Sequence, residues 1–377
     1  MRPWSPHLYR EQAVHAGTSS TIAENAVAEM QAFLAVSPSA APIMTLGHLA
    51  HETGVSHNFL RRVIDRSLSQ SYVRFTTIGR SQKRREIATP TRDLMLVQRW
   101  IAENVLARLH VGPNSYAYAK GSSIVSCASA HCSSRWLVKM DVRKFFSSID
   151  ERQIYSIFVD LGYRALVAFE LARLCTWPAN DAPNRLDAVY ADRSGGPNYR
   201  HGPLGSLPIG APTSPMLSNL YMALFDHKLS VHAARNSLVY SRYADDIFLS
   251  SSNHSFKRID AIRAAQFVRE ELTHIGLFDN RSKSTIVPPG GRKIVLGLIV
   301  NGVRPQLSPE FKKRLRMHYH YIDLVGAMKH ASRRNFASVP TLERHLRGSI
   351  AYARQIDSEY ADAILLRHEK INWGYLA

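Results

Sequence analysis

Cysteine is almost missing from this chain, with only Cys127, Cys132 and Cys175 among 377 residues. Three thiols at uneven spacing exclude a disulfide framework and point to a reducing compartment. Cys127, His131 and Cys132 lack the second ligand pair that a structural zinc site needs. No apolar run approaches the ~20 residues of a membrane span, and the opening MRPWSPHLYREQ has no basic segment leading into an apolar one, as a secretory leader would. The expectation is a cytoplasmic protein with no membrane partner. Internal repeats and low-complexity tails are absent too. Acid is scarce relative to base: 30 Asp and Glu against 48 Lys and Arg give a net charge of +18. So lopsided a balance implies a polyanionic partner, with nucleic acid favoured over a mere solubility effect. With 45% hydrophobic residues the chain can bury a core, and its length suits two or three subdomains.

Along the chain, residues 1 to about 75 read as helical. Leu46, Leu49, Ala50, Val55, Leu60, Val63 and Ile64 are spaced for a buried helical face around a turn at Gly54. This resembles a helix-turn-helix, but packing against the core is the favoured role over base reading. RSQKRREIATP, ending at Pro90, is basic and β-prone, and LMLVQRWIAENVLARL is an amphipathic helix. Residues 178–206 are rich in Pro, Gly, Asn and Asp with no apolar period, which predicts a long surface insertion. Ser308 and Pro309 form an N-cap and N1 pair for a helix. Its one face carries Phe311, Leu315, Ile322 and Val325, its other face Lys312, Lys313, Arg314 and Arg316. That basic face suits a nucleic-acid clamp.

The chemistry is carried by carboxylates, since no convincing His or Cys nucleophile is present. SRYADDIFLS, residues 241–250, reads as two β-runs broken by Asp245 and Asp246, a hairpin with acids at its tip. Neighbouring side chains on a plain strand point to opposite faces, so a turn is needed to bring both acids to one site. Alone, this dipeptide reads as a polar turn. LVKMDVRKFF, residues 137–146, however, places Asp141 at the end of a second β-run. Three acids brought together form a cage of hard oxygens suited to Mg2+. Two such ions, about 3.5–4 Å apart, activate a 3′-hydroxyl and stabilise leaving pyrophosphate. The basic surface then grips template phosphates.

Tyr243, Ala244, Asp245 and Asp246 resemble the YxDD box of reverse transcriptases, and Asp141 sits where that family's first metal-binding Asp belongs. LPIGAPTSPMLSN, residues 207–219, resembles the template and nucleotide loop, and the three boxes follow family order over roughly residues 45 to 360. The resemblance implies an α+β right-hand polymerase: a helical region over 1–75, fingers over 76–136 with part of 165–235 interleaved, a palm with an antiparallel sheet over 137–305, and a helical thumb over 306–377. It implies two Mg2+ ions at Asp141, Val142, Asp245 and Asp246, and dNTPs as substrates. It makes Phe146 the steric gate against a ribose 2′-hydroxyl, with a core Phe beside Phe145 as the alternative. Lys83 and Arg85 become triphosphate ligands, against a solvated charge run. Lys283 becomes the lysine that protonates pyrophosphate, against a salt bridge. Gly210 becomes the point of close backbone approach to the nucleotide. Ile209 stands where the family usually places Gln, which removes a side-chain hydrogen bond near the nucleotide.

Two weaker boxes resemble the bacterial retron class. CASAH, residues 127–131, resembles its NAxxH box with Cys127 for Asn, and VNG, residues 300–302, resembles its VTG triplet with Asn301 for Thr. LRGSIAYARQID, residues 346–357, is similar to the end of the retron thumb. The stretch beyond Ser308 is too short for the maturase and nuclease domains of group II intron proteins. The retron resemblance implies a cognate structured non-coding RNA as partner and template, with His131, Asn301, Gly302, Lys312, Lys313 and Arg316 contacting RNA. It further implies a branched RNA–DNA product, phage defence and a separately encoded effector protein. The alternatives are another small bacterial reverse transcriptase, of diversity-generating or abortive-infection type, or a ribonucleoprotein scaffold that restrains an effector.

Overall fold

A computed structural model describes residues 5–15, 17–68, 71–78, 84–119, 121–178 and 204–374. In chain order, helices α1 (Pro6–His15), α2 (Ser20–Val36), α3 (Leu46–Thr53) and α4 (His57–Ile64) precede the strands β1 (Tyr72–Ile78) and β2 (Arg84–Pro90). Next come α5 (Arg92–Ile101), α6 (Ile124–Ser129), β3 (Trp136–Asp141), α7 (Glu151–Asp160), α8 (Ala165–Cys175), α9 (Ser214–Tyr221) and α10 (Ala223–Arg235). Strands β4 (Val239–Tyr243) and β5 (Asp246–Ser251), helix α11 (Arg258–His274) and the short strands β6 (Thr285–Val287), β7 (Ile294–Val295), β8 (Leu298–Ile299) and β9 (Gln306–Leu307) follow. Helices α12 (Pro309–Val325), α13 (Ala327–Arg333), α14 (Val339–Arg354) and α15 (Ser358–Glu369) complete the order. Among the described residues no helix is long and apolar enough to cross a membrane.

The chain divides into two compact units. One holds residues 1–120, 142–228 and 272–278, the other residues 121–141, 229–271 and 279–377. In the first, α3 and α4 form the expected helical pair, turned by Gly54 at φ +65°, and bury Leu46, Leu49, Leu60, Val63 and Ile64. The helical stretch ends at Ile64, earlier than expected, because YVRFTTI is taken into an antiparallel ladder running from Tyr72 opposite Pro90 to Ile78 opposite Arg84. Lys83 and residues 179–203, most of the expected insertion, lie outside the described residues. The insertion's flanks are closed by mutual backbone hydrogen bonds of 3.0 Å between Trp177 and Ser206.

Glu151 organises this unit. Its carboxylate is fully buried and accepts from Arg66 Nη2 at 2.9 Å, Arg173 Nε at 2.5 Å and the Gly205 amide at 3.1 Å. Arg66 donates in turn to the Thr176 carbonyl at 2.7 Å, and Arg173 to the Ile64 carbonyl at 3.2 Å. A buried charge of this kind is tolerable only with its partners and hydrogen bonds in place.

In the second unit, a four-stranded antiparallel sheet has the order β4-β5-β3-β6, so the two central strands are β5 and β3. Leu137, Val138, Met140, Ile247, Phe248 and Leu249 on them are buried. A three-stranded sheet, β7-β8-β9, and the helices α12–α15 complete the unit. The expected cap holds: Ser308 Oγ accepts from the Phe311 amide at 3.1 Å, with Pro309 first in α12. Leu315 and Ile322 are buried, and Lys313, Arg314 and Arg316 are exposed. Lys312 departs from the expected open face. Its ammonium is 2.7 Å from Asp357 Oδ2 and lies over the Tyr360 ring at 4.5 Å, so it ties α12 to α15.

Replacing Glu151 by Ala strips Arg66 and Arg173 of the carboxylate they share. We expect a loss of about 3–5 kcal/mol in urea unfolding of the full chain. A loss under about 1 kcal/mol would show that both guanidiniums regain water at little cost.

Candidate active site

The acids meet through strand register. Asp141, the last residue of β3, lies opposite Asp246, the first of β5, and Asp246 also lies opposite Tyr243 at the end of β4. Directly opposed residues on an antiparallel pair have Cβ atoms roughly 4.5–5.5 Å apart. Asp245 and Ala244 form the two-residue turn between β4 and β5. Ala244 takes φ +54°, a left-handed conformation that costs a residue with a Cβ about 1–2 kcal/mol. The fully buried Arg242 donates from Nη1 to the Ala244 carbonyl at 3.1 Å and so supports the turn. The sequence-derived hairpin is therefore present, with one acid in the turn and one at the start of the strand.

Charge crowds there. Burial raises the Asp245 carboxyl above its ordinary range, and the carboxylates of Asp246 and Asp141 push the same way. Cations answer part of the load: Lys283 Nζ is 2.6 Å from Asp141 Oδ2, and Lys139 Nζ is 3.3 Å from Asp246 Oδ1. Asn280 donates from Nδ2 to Asp141 Oδ1 at 3.2 Å and from its backbone amide to the Asp141 carbonyl at 2.7 Å. The expected ready-made cage is thus corrected. Among the described residues no three His, Cys, Asp or Glu side chains are grouped so as to hold a metal ion, and Asp141 and Asp246 are instead paired with Lys283 and Lys139. The donor chemistry still fits a hard divalent cation, since Asp141 lies opposite Asp246 beside the Asp245 turn and all three offer carboxylate oxygens. Val142, which follows Asp141, has a buried apolar side chain and can offer a cation only its carbonyl.

Lys283 is held in a salt bridge with Asp141. Lys139 and Asn280 were not anticipated. Lys139 was legible in principle, since two residues before Asp141 on a strand puts it on the same face.

In the other unit, Phe145 is buried and Phe146 is half-exposed, at the start of a short 3-10 turn. Phe146 is therefore not a core residue. Its ring centroid is 5.5 Å from Phe145 and 6.4 Å from the exposed Tyr118. Arg85 lies on β2 opposite Thr77. Gly210 takes φ +115°, and a Cβ there would meet Ile87 Cγ2 at 2.9 Å and the Ala88 carbonyl at 3.2 Å. Close approach of β2, sealed by the Ala88 amide donating to the Ile209 carbonyl at 2.8 Å, already demands this glycine, so the expected nucleotide contact is not needed to explain it.

The two weaker boxes touch each other. The Ser133 amide, just past CASAH, donates to the carbonyls of Val300 at 3.1 Å and Gly302 at 2.9 Å. Asn301 is exposed, but its side chain is engaged: Oδ1 accepts from the Lys293 amide at 2.8 Å, and Nδ2 donates to the Gly291 carbonyl at 2.9 Å. It shapes its own loop. His131 is fully buried with both ring nitrogens hydrogen-bonded, which removes it from direct RNA contact.

Residues 78–300 match the family model described as reverse transcriptase (RNA-dependent DNA polymerase). The chain is 31% identical over 327 residues to the retron Mx65 reverse transcriptase of Myxococcus xanthus, across 85% of this chain and 70% of the relative. It is 26% identical over 297 residues to the retron Ec86 reverse transcriptase of Escherichia coli, across 79% of each. Among solved structures it is similar to telomerase from Candida albicans in complex with a TWJ fragment of telomeric RNA, with a TM-score of 0.42 and 10% identity, covering 81% of this chain and 64% of that one. The chain has the α+β right-hand polymerase fold and belongs to the reverse transcriptases, RNA-directed DNA polymerases, of the bacterial retron type.

Proposed function

We propose that this chain copies part of a cognate structured non-coding RNA into DNA joined to that RNA through a 2′,5′ branch, at a centre formed by Asp141, Asp245 and Asp246. The observation that carries the reading is the register that sets Asp141 opposite Asp246 beside the Asp245 turn. Asp141, Asp245 and Asp246, with the Val142 carbonyl, would hold two Mg2+ ions. When bound, these ions lower the cost of ionising a primer hydroxyl and of releasing pyrophosphate. Lys283, whose Nζ is paired with Asp141, would serve as the proton donor at Nζ to the departing pyrophosphate. Phe146 screens the sugar of the incoming dNTP. Arg85, with Lys83, engages its triphosphate, and Gly210 lies in the loop that receives it. Lys313 and Arg316, with Arg314, grip RNA phosphates, and a net charge of +18 makes that grip sensitive to salt. Lys312 supports the basic face through its bond to Asp357. The 300–302 loop, with Asn301 and Gly302, distinguishes the native RNA.

We assign residues 76–136, with part of 165–235, to the fingers, 137–305 to the palm and 306–377 to the thumb. The complex acts in the cytoplasm in anti-phage defence, restraining a separately encoded effector.

Asp141→Asn and Asp245→Asn should each abolish extension of a DNA primer on RNA while RNA affinity by filter binding stays within about twofold, since phosphate grip rests on the basic surface. Normal extension by either purified variant would remove the metal assignment. Phe146→Ala should admit ribonucleotides more readily in mixed-nucleotide extension; unchanged selectivity would leave Phe146 without a gating role. Expressed with its native upstream sequence, the protein should co-purify with short single-stranded DNA whose migration on a denaturing gel shifts after debranching enzyme. Uniformly linear DNA would leave a reverse transcriptase that does not form the branch.

A further inference from the structure

A hydrogen-bond chain joins α6 to the hairpin that carries the acids. His131, in the turn after α6, places Nδ1 2.7 Å from Ser250 Oγ on β5 and Nε2 2.7 Å from Ser241 Oγ on β4. Ser241 Oγ also meets Cys127 Sγ at 3.3 Å, so the first and last residues of CASAH converge on one hydroxyl. The His131 ring lies 5.8 Å from Phe248. In the register Ser241 opposes Phe248 and Tyr243 opposes Asp246. Asp246, Phe248 and Ser250 alternate along β5 and share one face of the sheet. The imidazole therefore spans both strands of the hairpin from the face that carries Asp246.

Burial pushes the His131 imidazole down to about 4, so the ring is neutral, with one N–H donor and one bare acceptor nitrogen. One serine hydroxyl must then accept and the other donate. Filling space would need no such pairing, because an apolar side chain fills a core without ordering two hydroxyls. The hairpin has reason to need a clamp: its turn carries the left-handed Ala244, and Asp245 is pressed by two like charges.

We propose that His131 is a positioning residue of the polymerase centre, fixing β4 against β5 through Ser241 and Ser250 and thereby setting where Asp245 and Asp246 stand. The inference rests on the three carboxylates being the catalytic centre. It reassigns the CASAH box from RNA recognition to alignment of the acids, so that its loss is felt on any template.

The test uses the full chain with poly(rA), an oligo(dT) primer, dTTP and Mg2+, with Asp245→Asn as reference. His131→Ala should lower kcat roughly ten- to hundredfold, the scale of an ångström's misplacement at a reacting centre, while KM for dTTP and affinity for poly(rA) change less than about twofold. His131→Gln, whose amide offers a donor and an acceptor, should recover part of the rate. Ser241→Ala and Ser250→Ala should each lower kcat, and adding Ser250→Ala to His131→Ala should cost little more, as expected for partners in one network. An unchanged kcat in folded His131→Ala overturns the proposal. So does a loss that follows the melting temperature with no recovery in His131→Gln. Should His131→Ala fail to fold, the serine variants decide, and unchanged kcat in both overturns it. Wild-type rates in Asp245→Asn would instead overturn the assignment of the centre and the inference with it, an outcome distinct from silence at His131 alone.

Discussion

Three carboxylates gathered at neighbouring strand ends repel one another, and the architecture of the second unit is shaped by the need to hold them there. A sheet edge could not do it, since an edge strand has only one neighbour to set its register. Asp246 instead opens β5, paired with β4 on one side and β3 on the other, and Asp141 ends β3 opposite it, so that backbone ladders fix these two before any side chain contributes, with Asp245 in the adjoining turn. Lys139, Lys283 and Asn280 then offset part of the charge, and Arg242 steadies the turn from beneath. Burial, together with the carboxylates of Asp246 and Asp141, still raises the Asp245 carboxyl above its ordinary range.

The same logic separates the acids from the residues that stabilise them. Lys283 and Lys139 are partly exposed ammoniums on flexible stems, able to leave a carboxylate at modest cost. His131, Ser241 and Ser250 are buried, neutral and directional, and cannot be exchanged for water without leaving polar groups unsatisfied. Exchangeable groups therefore touch the carboxylates, and fixed groups lie two or more residues behind them along the strands. Ser133 extends the fixed part to the 300–302 loop, so two boxes far apart in sequence are one structural piece.

What could be read in the sequence is what local pattern encodes. The β-run ending at Asp141, the break at Asp245 and Asp246, the Gly54 turn and the Ser308–Pro309 cap all depend on residues within a few positions of each other, and the structure has them where the pattern placed them. The partners of those residues were not legible. Lys312 looked like a member of a basic helical face, and only the arrival of Asp357 from α15 removes it. The retron resemblance of CASAH implies that His131 contacts RNA, yet its hydrogen-bond partners are serines more than a hundred positions away. Gly210 was ascribed to a nucleotide, whereas Ile87 and Ala88 already require it. Periodicity reports which face is buried; it is silent about what buries it.

The Glu151 cluster has a consequence for how the chain is made. Arg66 precedes its carboxylate by 85 positions and its Thr176 carbonyl by 110, and Gly205 completes the set later still. During vectorial synthesis the helices α1–α4 emerge long before the residues that neutralise the end of α4. The end of α4 therefore waits for its partners until just over half of the polypeptide has been translated. Early domains of many proteins can close while the rest is still being translated. Here the beginning of the chain is finished only from its middle, so the nascent N-terminal segment cannot complete its own polar network until Glu151, Thr176 and Gly205 have been made.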